Sequence, residues 1–305
     1  MAPASPSPSP TLSGLLADFE ASYLPARNFA ELTRSTYLHA VRAFVGWAEP
    51  RDVCSPADVG LRTLDAFLAH LDGRGLAGST RRKYVYALKL FFAYLESRGH
   101  VPVNVALKVV PPETEVKDSR VLTAEEYRGL RDQVRLKPRD AAIVEVMLQT
   151  GVRLGELARL RIDDVYVPKK ISAAADNAGS LTVVQGKGRK DRTIALNHRA
   201  CEAIAAWLLS RPADAPTRWL FLNKYKRPMG ARSIQKMLAK HFEAADIKLG
   251  HPHALRHTFG THAVKTGVSL RVVQEMLGHK NLATTSRYVS LAREQMDKEM
   301  QTHAL

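Results

Sequence analysis

The stretch VVPPETEVKDSR, residues 109–120, constrains the fold most, because it divides two long segments whose apolar residues recur at helical spacing. Its proline and charge content is typical of a linker. A chain of 305 residues with 45% hydrophobic content is long enough for two cores and usually too long for one. We therefore predict two domains, residues 11–108 and 121–305, after a Pro/Ser-rich lead at residues 1–10 that is typical of disorder.

The first domain has the pattern of a compact set of helices. In GSTRRKYVYALKLFFAYLESRGH the apolar positions follow a period of 3.6, namely Tyr84, Ala87, Leu88, Phe91, Phe92 and Leu95. Ser79 or Thr80 is the expected N-cap of this helix. Arg81, Arg82 and Lys83 crowd its first turn, where cations oppose the helix dipole. A bound phosphate would relieve that conflict, and a solvated helix end explains the pattern equally well.

The second domain is predicted to be mostly helical with a small antiparallel β-sheet, so the whole chain is mainly α. Thr123 and Glu126 in TAEE match a capping box and open its first helix. The β-rich runs are SLTVVQ, residues 180–185, and RTIAL, residues 192–196, and the turn GKGRKD joins them into a hairpin. The tip of this hairpin is strongly cationic: Lys187, Arg189, Lys190 and Arg192.

The charge balance indicates a polyanionic partner. The chain carries 45 Lys and Arg against 30 Asp and Glu, a net charge of +15, and nucleic acid is the leading candidate. Cys54 and Cys201 form no CxxC motif or disulfide framework, which favours a reducing cytoplasm. No apolar run is long enough to span a bilayer, and the lead lacks the features of a signal peptide. We therefore expect a cytoplasmic protein without a membrane partner.

Two pairs of polar residues stand one helical turn apart. Arg153 and Glu156 are neighbours on one helix face in TGVRLGELARL, and His253 and Arg256 have the same spacing in HPHALRHTFGTH. Taken singly, the Arg153–Glu156 pair is better explained as an ion pair on a solvated helix face, and each of these signals is weak by itself.

Two further residues with reactive side chains follow near the C-terminus. His279 stands just beyond Gly278, a predicted helix C-cap, and Tyr288 lies nine residues later in TTSRYVSL. An isolated tyrosine at such a place is ordinarily half-buried packing.

The histidines also raise the alternative of a metal site, since His253 and His257 have the i, i+4 spacing of helical zinc ligands. The zinc motif HExxH supplies a glutamate general base, and that place holds Ala254 here. We therefore predict no metal, and interpret His251, His257 and His262 as structural or backbone-contacting groups.

Collectively, these motifs resemble those of the tyrosine recombinases (the lambda-integrase family), and most closely the Xer-type members. The resemblance rests on TGVRLGEL, GKGRKDR, HALRHTFGTH and LGHKNLATTSRY in this order and spacing, and it covers essentially everything after the first ten residues. It implies an N-terminal helical core-binding domain that contacts DNA and a C-terminal catalytic domain. It also implies DNA strand breakage and rejoining without ATP, metal or any other cofactor.

The resemblance implies that three residues act on the scissile phosphate. Arg153 and Arg256 would bind its non-bridging oxygens, because guanidinium is permanently charged and can grip two oxygens at once. Tyr288 would be the nucleophile, forming a 3′-phosphotyrosyl ester that preserves the bond energy for religation. A free phenol has a pKa of about 10, so the tyrosine needs a nearby base or cations to react.

The remaining matched residues would assist this reaction. His253 is the expected base, His279 would hydrogen-bond the phosphate, and Lys187 would protonate the departing 5′ oxygen as general acid. Glu156 would orient Arg153. The other expected DNA contacts are Arg81, Arg82, Lys83, Arg189 and Lys190.

The resemblance also implies a tetramer on two DNA duplexes, formed by one recombinase or two, with a C-terminal tail helix beyond Tyr288 that docks into a neighbouring subunit. The chain length favours resolution of chromosome dimers, and thus a role in chromosome partition and cell division, and a DNA translocase is a further expected partner. The alternatives are a phage or mobile-element integrase, a type IB topoisomerase and a non-catalytic DNA-binding protein. One departure from the family pattern is the long connection VYVPKKISAAADNAGSLTV before the hairpin.

Overall fold

The computed structural model describes residues 10–113, 120–171, 179–184, 191–278 and 288–289. Several predicted features lie outside these ranges: the lead up to residue 9, Lys187, Arg189, Lys190, His279 and the tail beyond residue 289. None of the helices in the described ranges is long and apolar enough to cross a membrane.

The chain divides into two compact units, Met1–Lys117 (unit 1) and Asp118–Leu305 (unit 2). The division falls inside the segment 109–120 that the sequence marks as a linker. Each unit has its own hydrophobic core, as the length of the chain requires.

Unit 1 is helical, and its aromatic side chains meet in the centre. In its described residues the α-helices are α1 (Leu12–Asp18), α2 (Glu31–Ala48), α3 (Leu61–Gly73) and α4 (Gly78–Ser97). A π-helix extends α1 over Phe19–Tyr23. Phe44 and Phe67 pack edge to face with ring centroids 5.3 Å apart, and Phe19 and Phe91 do so at 5.2 Å. A third pair, Phe44 and Phe92 at 6.4 Å, links α2 to α4, so that the α1 segment with its π-helix and helices α2 to α4 share one core.

The start of α4 differs from the prediction. The helix begins at Gly78 with Ala77 as its N-cap and no side-chain cap, so the expected cap at Ser79 or Thr80 is wrong. Arg81 fixes this corner instead, because it donates to the Leu76 carbonyl and pairs with a carboxylate on α3.

Unit 2 surrounds the central helix α6. Its described α-helices are α5 (Ala124–Val134), α6 (Pro138–Thr150), α7 (Leu154–Leu157), α8 (His198–Ser210), α9 (Ala231–Ala244), α10 (Pro252–Lys265) and α11 (Leu270–Leu277). The predicted capping box at Thr123 and Glu126 is confirmed and begins α5. Helix α6 packs against both α8 and α10, which explains why it is apolar around most of its circumference.

A small antiparallel sheet lies beside these helices. Its strands are β1 (Val165–Tyr166), β2 (Gly179–Val183) and β3 (Arg192–Leu196), in the order β1-β2-β3. The predicted hairpin is confirmed to within two residues, with Leu181 opposite Ile194. Strand β1 was not predicted, since two residues carry too little pattern, and it forms the first two residues of the long connection noted in the sequence. The fold is therefore mainly α with a small antiparallel sheet.

Candidate active site

The C-terminal end of α11 is where unit 2 gathers its arginines. Three successive backbone carbonyls, at residues 276–278, each accept a hydrogen bond from a different guanidinium in the described residues. Arg192 Nε donates to the first at 2.8 Å, Arg256 Nη2 to the second at 2.6 Å and Arg153 Nη2 to the third at 3.0 Å. The C-terminus of a helix carries partial negative charge, so it favours cations. The helix end thus holds side chains from three separate elements in one place.

Two glycines shape this meeting point by ending helices in the left-handed conformation. Gly278 ends α11 with φ of 64°, which confirms the predicted C-cap, and Gly151 ends α6 with φ of 60°. The Gly151 carbonyl accepts a hydrogen bond from Arg256 Nη1 at 2.5 Å. A Cβ atom at Gly151 would lie 2.5 Å from Phe259 and 2.6 Å from Leu277, so only glycine fits here.

Arg153 and Glu156 are joined at the start of α7. Arg153 is the N-cap, its backbone N–H donates to Glu156 Oε2 at 2.9 Å, and its Nη1 donates to Oε1 at 3.0 Å. The side chain of Arg153 is 36% exposed, whereas that of Glu156 is buried. The predicted contact between the two residues is present, and the Arg153 side chain remains partly exposed to solvent.

A second arginine also binds Glu156. Arg192 Nη2 and Nη1 donate to the two carboxylate oxygens at 2.7 and 3.2 Å. Burial raises the pKa of Glu156, but the hydrogen bonds and charges of Arg192 and Arg153 outweigh it and lower the pKa to about 2. The carboxylate is therefore ionised throughout the neutral range.

Arg256 is the most buried cation of the site, with 4% of its surface exposed. Burial and the positive charge of Arg153 lower the pKa of Arg256 to about 10, although Tyr288 and Glu156 oppose this. The guanidinium still carries its proton at neutral pH. It is a desolvated charge fixed by two carbonyls, an arrangement that can stabilise negative charge without rearranging.

The histidines at the start of α10 have different tasks. His251 is the N-cap, and its Nδ1 accepts a hydrogen bond from the Ala254 N–H at 3.0 Å. Burial first, and then the charges of His251, Arg256 and Arg153, lower the pKa of His253. A His253 ring with a lowered pKa is mostly neutral near pH 7 and can accept a proton.

Tyr288 lies against α10 and is 1% exposed. A Cβ atom at Gly260 would approach its ring to 2.7 Å, so the absence of a side chain on α10 makes room for the phenol. The His257 ring lies 5.7 Å from the tyrosine ring, and the described apolar residues around it include Ala263 and Leu277. The structure thus brings Tyr288 beside the helix that carries His253 and Arg256.

Two family models match the chain over most of its length. Residues 120–295 match the model described as the phage integrase family, and residues 16–99 match the phage integrase N-terminal SAM-like domain. The chain belongs to the phage integrase family. This confirms the resemblance to tyrosine recombinases that the sequence motifs indicate.

Named relatives agree with this membership. Tyrosine recombinase XerC of Xylella fastidiosa (strain 9a5c) is 31% identical over 293 residues, which are 94% of this chain and 95% of that protein. Tyrosine recombinase XerD of Bifidobacterium longum (strain NCC 2705) is 30% identical over 287 residues, 88% of this chain and 89% of that protein. The chain is therefore a tyrosine recombinase, an enzyme of site-specific DNA cleavage and rejoining.

A solved structure shows the same fold. The XerH site-specific recombinase in its post-cleavage complex with palindromic difH substrate has a TM-score of 0.74 and 21% identity, covering 93% of this chain and 83% of that one. This likeness confirms the predicted fold class of the recombinase.

Arg192 is a member of the site that the sequence motifs do not identify, although the sequence places it in the cationic hairpin tip. A signal for it exists in RTIAL, since strand side chains alternate and Arg192 shares a face with Ile194 and Leu196. Both aliphatic residues are buried, and the Arg192 side chain is only 11% exposed. An arginine on the inward face of a strand indicates a buried partner.

The predicted DNA contacts of unit 1 are only partly available in the recombinase. Arg81 pairs with Asp72 at 2.8 Å, and Arg82 Nε donates to the Tyr86 hydroxyl at 3.3 Å. Lys83 is exposed. The positive charge of Arg81 is therefore partly balanced within unit 1, whereas no ion pair of Lys83 is found among the described residues.

Proposed function

We propose that the recombinase cleaves DNA with Tyr288 as the nucleophile, and that Arg153 and Arg256 bind the scissile phosphate. The observation that carries this proposal is the convergence of the two arginines on the end of α11, next to a tyrosine buried against α10. Phosphodiester cleavage places extra charge on the non-bridging oxygens, and fixed cations in a site with little water lower that barrier.

The two arginines suit different parts of this task. Arg256 is buried and held by two carbonyls, so it supplies a fixed charge, whereas Arg153 keeps an exposed edge that can hydrogen-bond a ligand. His253 accepts the phenolic proton, which its lowered pKa permits at neutral pH. Lys187 as general acid and His279 as phosphate ligand complete the proposed set on the strength of the family motifs alone.

We also propose that unit 1 is the core-binding domain and unit 2 the catalytic domain of a DNA-bound tetramer. Unit 2 has a cleft of about 440 Å³ between α5, α6, α8, α10 and α11, and its lining includes the apolar side chains of Leu148, Phe259, Ala263, Val268 and Met276. The proposed occupant is the tail of a neighbouring subunit, whose sequence offers Leu291, Met296 and Met300. A chain ending at residue 290 would then bind DNA but fail to assemble, and unchanged assembly would contradict this.

The biological role that we propose is resolution of circular chromosome dimers. Its support is that the chain covers nearly the whole length of XerC and XerD relatives, so its layout is theirs. Integration of a mobile element is the competing role, because it uses the same chemistry.

One experiment tests the nucleophile and the role together. The purified chain is incubated with genomic DNA of its source organism and denatured, and the DNA that stays covalently attached is sequenced. We expect the wild type to retain one chromosomal site and Tyr288→Phe to retain none, since the variant loses one oxygen and little packing. An adduct in Tyr288→Phe would refute the nucleophile, and recovery of mobile-element ends would refute the resolution role. Excess EDTA should change neither result.

A further inference from the structure

Arg192 is directed into the protein, unlike Arg153 beside it. Its Nε donates to the Met276 carbonyl at 2.8 Å, and its two terminal nitrogens donate to Glu156 at 2.7 and 3.2 Å. Its side chain is 11% exposed, against 36% for Arg153. The two arginines therefore share one carboxylate, but only Arg153 keeps a substantial open edge.

Glu156 is saturated by this sharing. In the described part of the chain it accepts four hydrogen bonds, two from Arg192, one from Arg153 Nη1 and one from the Arg153 backbone N–H. A carboxylate has about four lone-pair positions, so these donors fill it. The Arg153 guanidinium reaches Glu156 through one nitrogen, and its Nη2 reaches the Gly278 carbonyl.

Loss of Arg192 would change what Glu156 does to Arg153. A buried carboxylate needs full pairing, because an unpaired charge in the interior is costly. Without Arg192, Glu156 would draw the Arg153 guanidinium into a two-pronged ion pair. That ion pair would leave fewer N–H groups of Arg153 to bind the phosphate, and the carboxylate would cancel part of the positive charge of Arg153.

We infer that Arg192 is a positioning residue of the recombinase: it saturates Glu156, so that Glu156 orients Arg153 without neutralising it. This inference rests on the proposed function, in which Arg153 binds the scissile phosphate.

The same side chain ties together three elements of the site. Arg192 begins β3, Glu156 belongs to α7 and Met276 to α11, and Arg192 bonds to both of the others. In the sequence, Lys187 precedes β3 by five residues and His279 follows Met276 by three. Arg192 therefore anchors the segments that lead to the other proposed catalytic groups.

The test uses the full chain and a nicked duplex carrying the DNA sequence recovered from covalent complexes, because cleavage beside a nick releases a short fragment and prevents religation. The variants are Arg192→Gln and Arg192→Lys. The matched control is Arg139→Gln, since Arg139 also donates to a buried carboxylate, Asp140, at 2.8 Å and to a carbonyl, that of Leu222, at 3.0 Å. Arg139 stands at the opposite end of α6 from Gly151.

We expect Arg192→Gln to lower the single-turnover cleavage rate by about 10- to 100-fold, by analogy with the loss of a hydrogen-bond partner that orients a metal ligand. Its DNA affinity and unfolding midpoint should match those of Arg139→Gln. Arg192→Lys keeps a positive charge beside the Glu156 carboxylate, so it should recover part of the cleavage rate. If Arg192→Gln does not fold, the comparison is made with Arg192→Lys alone. A cleavage rate in the Arg192 variants equal to that of the control would overturn the inference.

A second substitution separates positioning from direct DNA contact. In the double variant Glu156→Gln with Arg192→Gln, no carboxylate remains to capture Arg153, so cleavage should be no slower than in Arg192→Gln alone. If the losses of cleavage rate in Glu156→Gln and Arg192→Gln multiply in the double variant, Arg192 acts on the phosphate itself, and the inference is overturned. The proposed function has its own check, because it fails if Arg153→Gln cleaves at the wild-type rate.

Discussion

Units 1 and 2 of this recombinase treat polar groups in opposite ways. Among the described residues, the buried polar or charged residues of unit 1 amount to Asn104 alone, and its largest buried side chains are aromatic or aliphatic. Unit 2 buries eight such residues: Asp140, Glu145, Thr150, Glu156, His241, Arg256, Thr258 and Thr261. Unit 1 thus has an ordinary apolar core, whereas unit 2 buries charged groups, and their desolvation costs free energy.

We propose that the difference reflects two kinds of contact with DNA. Charges at a surface bind the backbone through counterion release, and their strength depends on salt. Charges that are buried and fixed lose little on reorganisation, so they can act on a developing charge in the transition state. In the proposed mechanism the buried cation Arg256 belongs to the second kind, and the exposed Lys83 belongs to the first.

The largest expected effect is on chemistry in unit 2. Arg256→Gln removes the buried charge but keeps a hydrogen-bonding side chain, and we expect cleavage to fall by about 10² to 10³-fold. DNA affinity should change far less, because many other contacts remain. Single-turnover cleavage and gel-shift titration measure the two quantities, with Arg139→Gln as control. A fall in cleavage rate of less than tenfold would contradict the idea that the buried charge of unit 2 acts on the chemistry.

The next effect is on the acid stability of unit 2. The pKa of Glu156 is about 2 in the folded chain against an ordinary 4.5, so the unfolded chain binds the proton more readily. The resulting stabilisation, about 3 kcal/mol, is complete above pH 4.5 and is lost as the pH falls through 2. Urea unfolding followed by Trp207 and Trp219 in a Trp47→Phe background measures it. Glu156→Gln should abolish this acid dependence, and an identical pH profile in that variant would contradict the assignment.

A smaller effect is expected at the glycine that ends α6. Gly151→Ala adds a Cβ that would meet Phe259 and Leu277, whereas Gly267→Ala, also at positive φ, meets nothing within 4 Å. Both variants carry backbone strain, so the difference between them isolates the clash, about 1–3 kcal/mol in the free energy of unfolding. Cleavage should also fall only in Gly151→Ala, since Arg256 bonds to that carbonyl. Equal effects of the two substitutions would refute the packing argument.

The smallest effect concerns the surface charges of unit 1. Lys83→Ala should reduce the slope of log affinity against log salt by about 0.9, the value for one phosphate contact. Arg81→Ala should reduce it less, because Arg81 already pairs with Asp72. Affinity measured between 50 and 200 mM salt, about the range over which such slopes are resolved, gives both values. A larger change for Arg81 would contradict the structure of this corner.

The elements of the recombinase were largely predictable because their signals are local. The capping box at Thr123 and Glu126, the glycine cap at Gly278 and the alternation in RTIAL each depend on neighbouring residues. The N-cap of α4 was not predictable, because a tertiary ion pair between Arg81 and α3 sets that corner.

The site shows the same limit. The i, i+3 spacing of Arg153 and Glu156 predicts their contact. No local sequence pattern shows that Arg192, 36 residues after Glu156, binds the same carboxylate. The convergence of three guanidiniums on the end of α11 likewise depends on packing between distant segments.

In the proposed mechanism the buried Arg256 acts on the charge of the scissile phosphate. A duplex in which a methyl group replaces one non-bridging oxygen at that phosphate tests it directly, because the linkage is then neutral and needs less positive charge. The comparison is the cleavage rate of wild type, Arg256→Gln and Tyr288→Phe on the normal and the neutral duplex. We predict that the defect of Arg256→Gln shrinks to less than about tenfold on the neutral duplex, while Tyr288→Phe stays inactive on both. An equal defect of Arg256→Gln on the two duplexes would contradict the account.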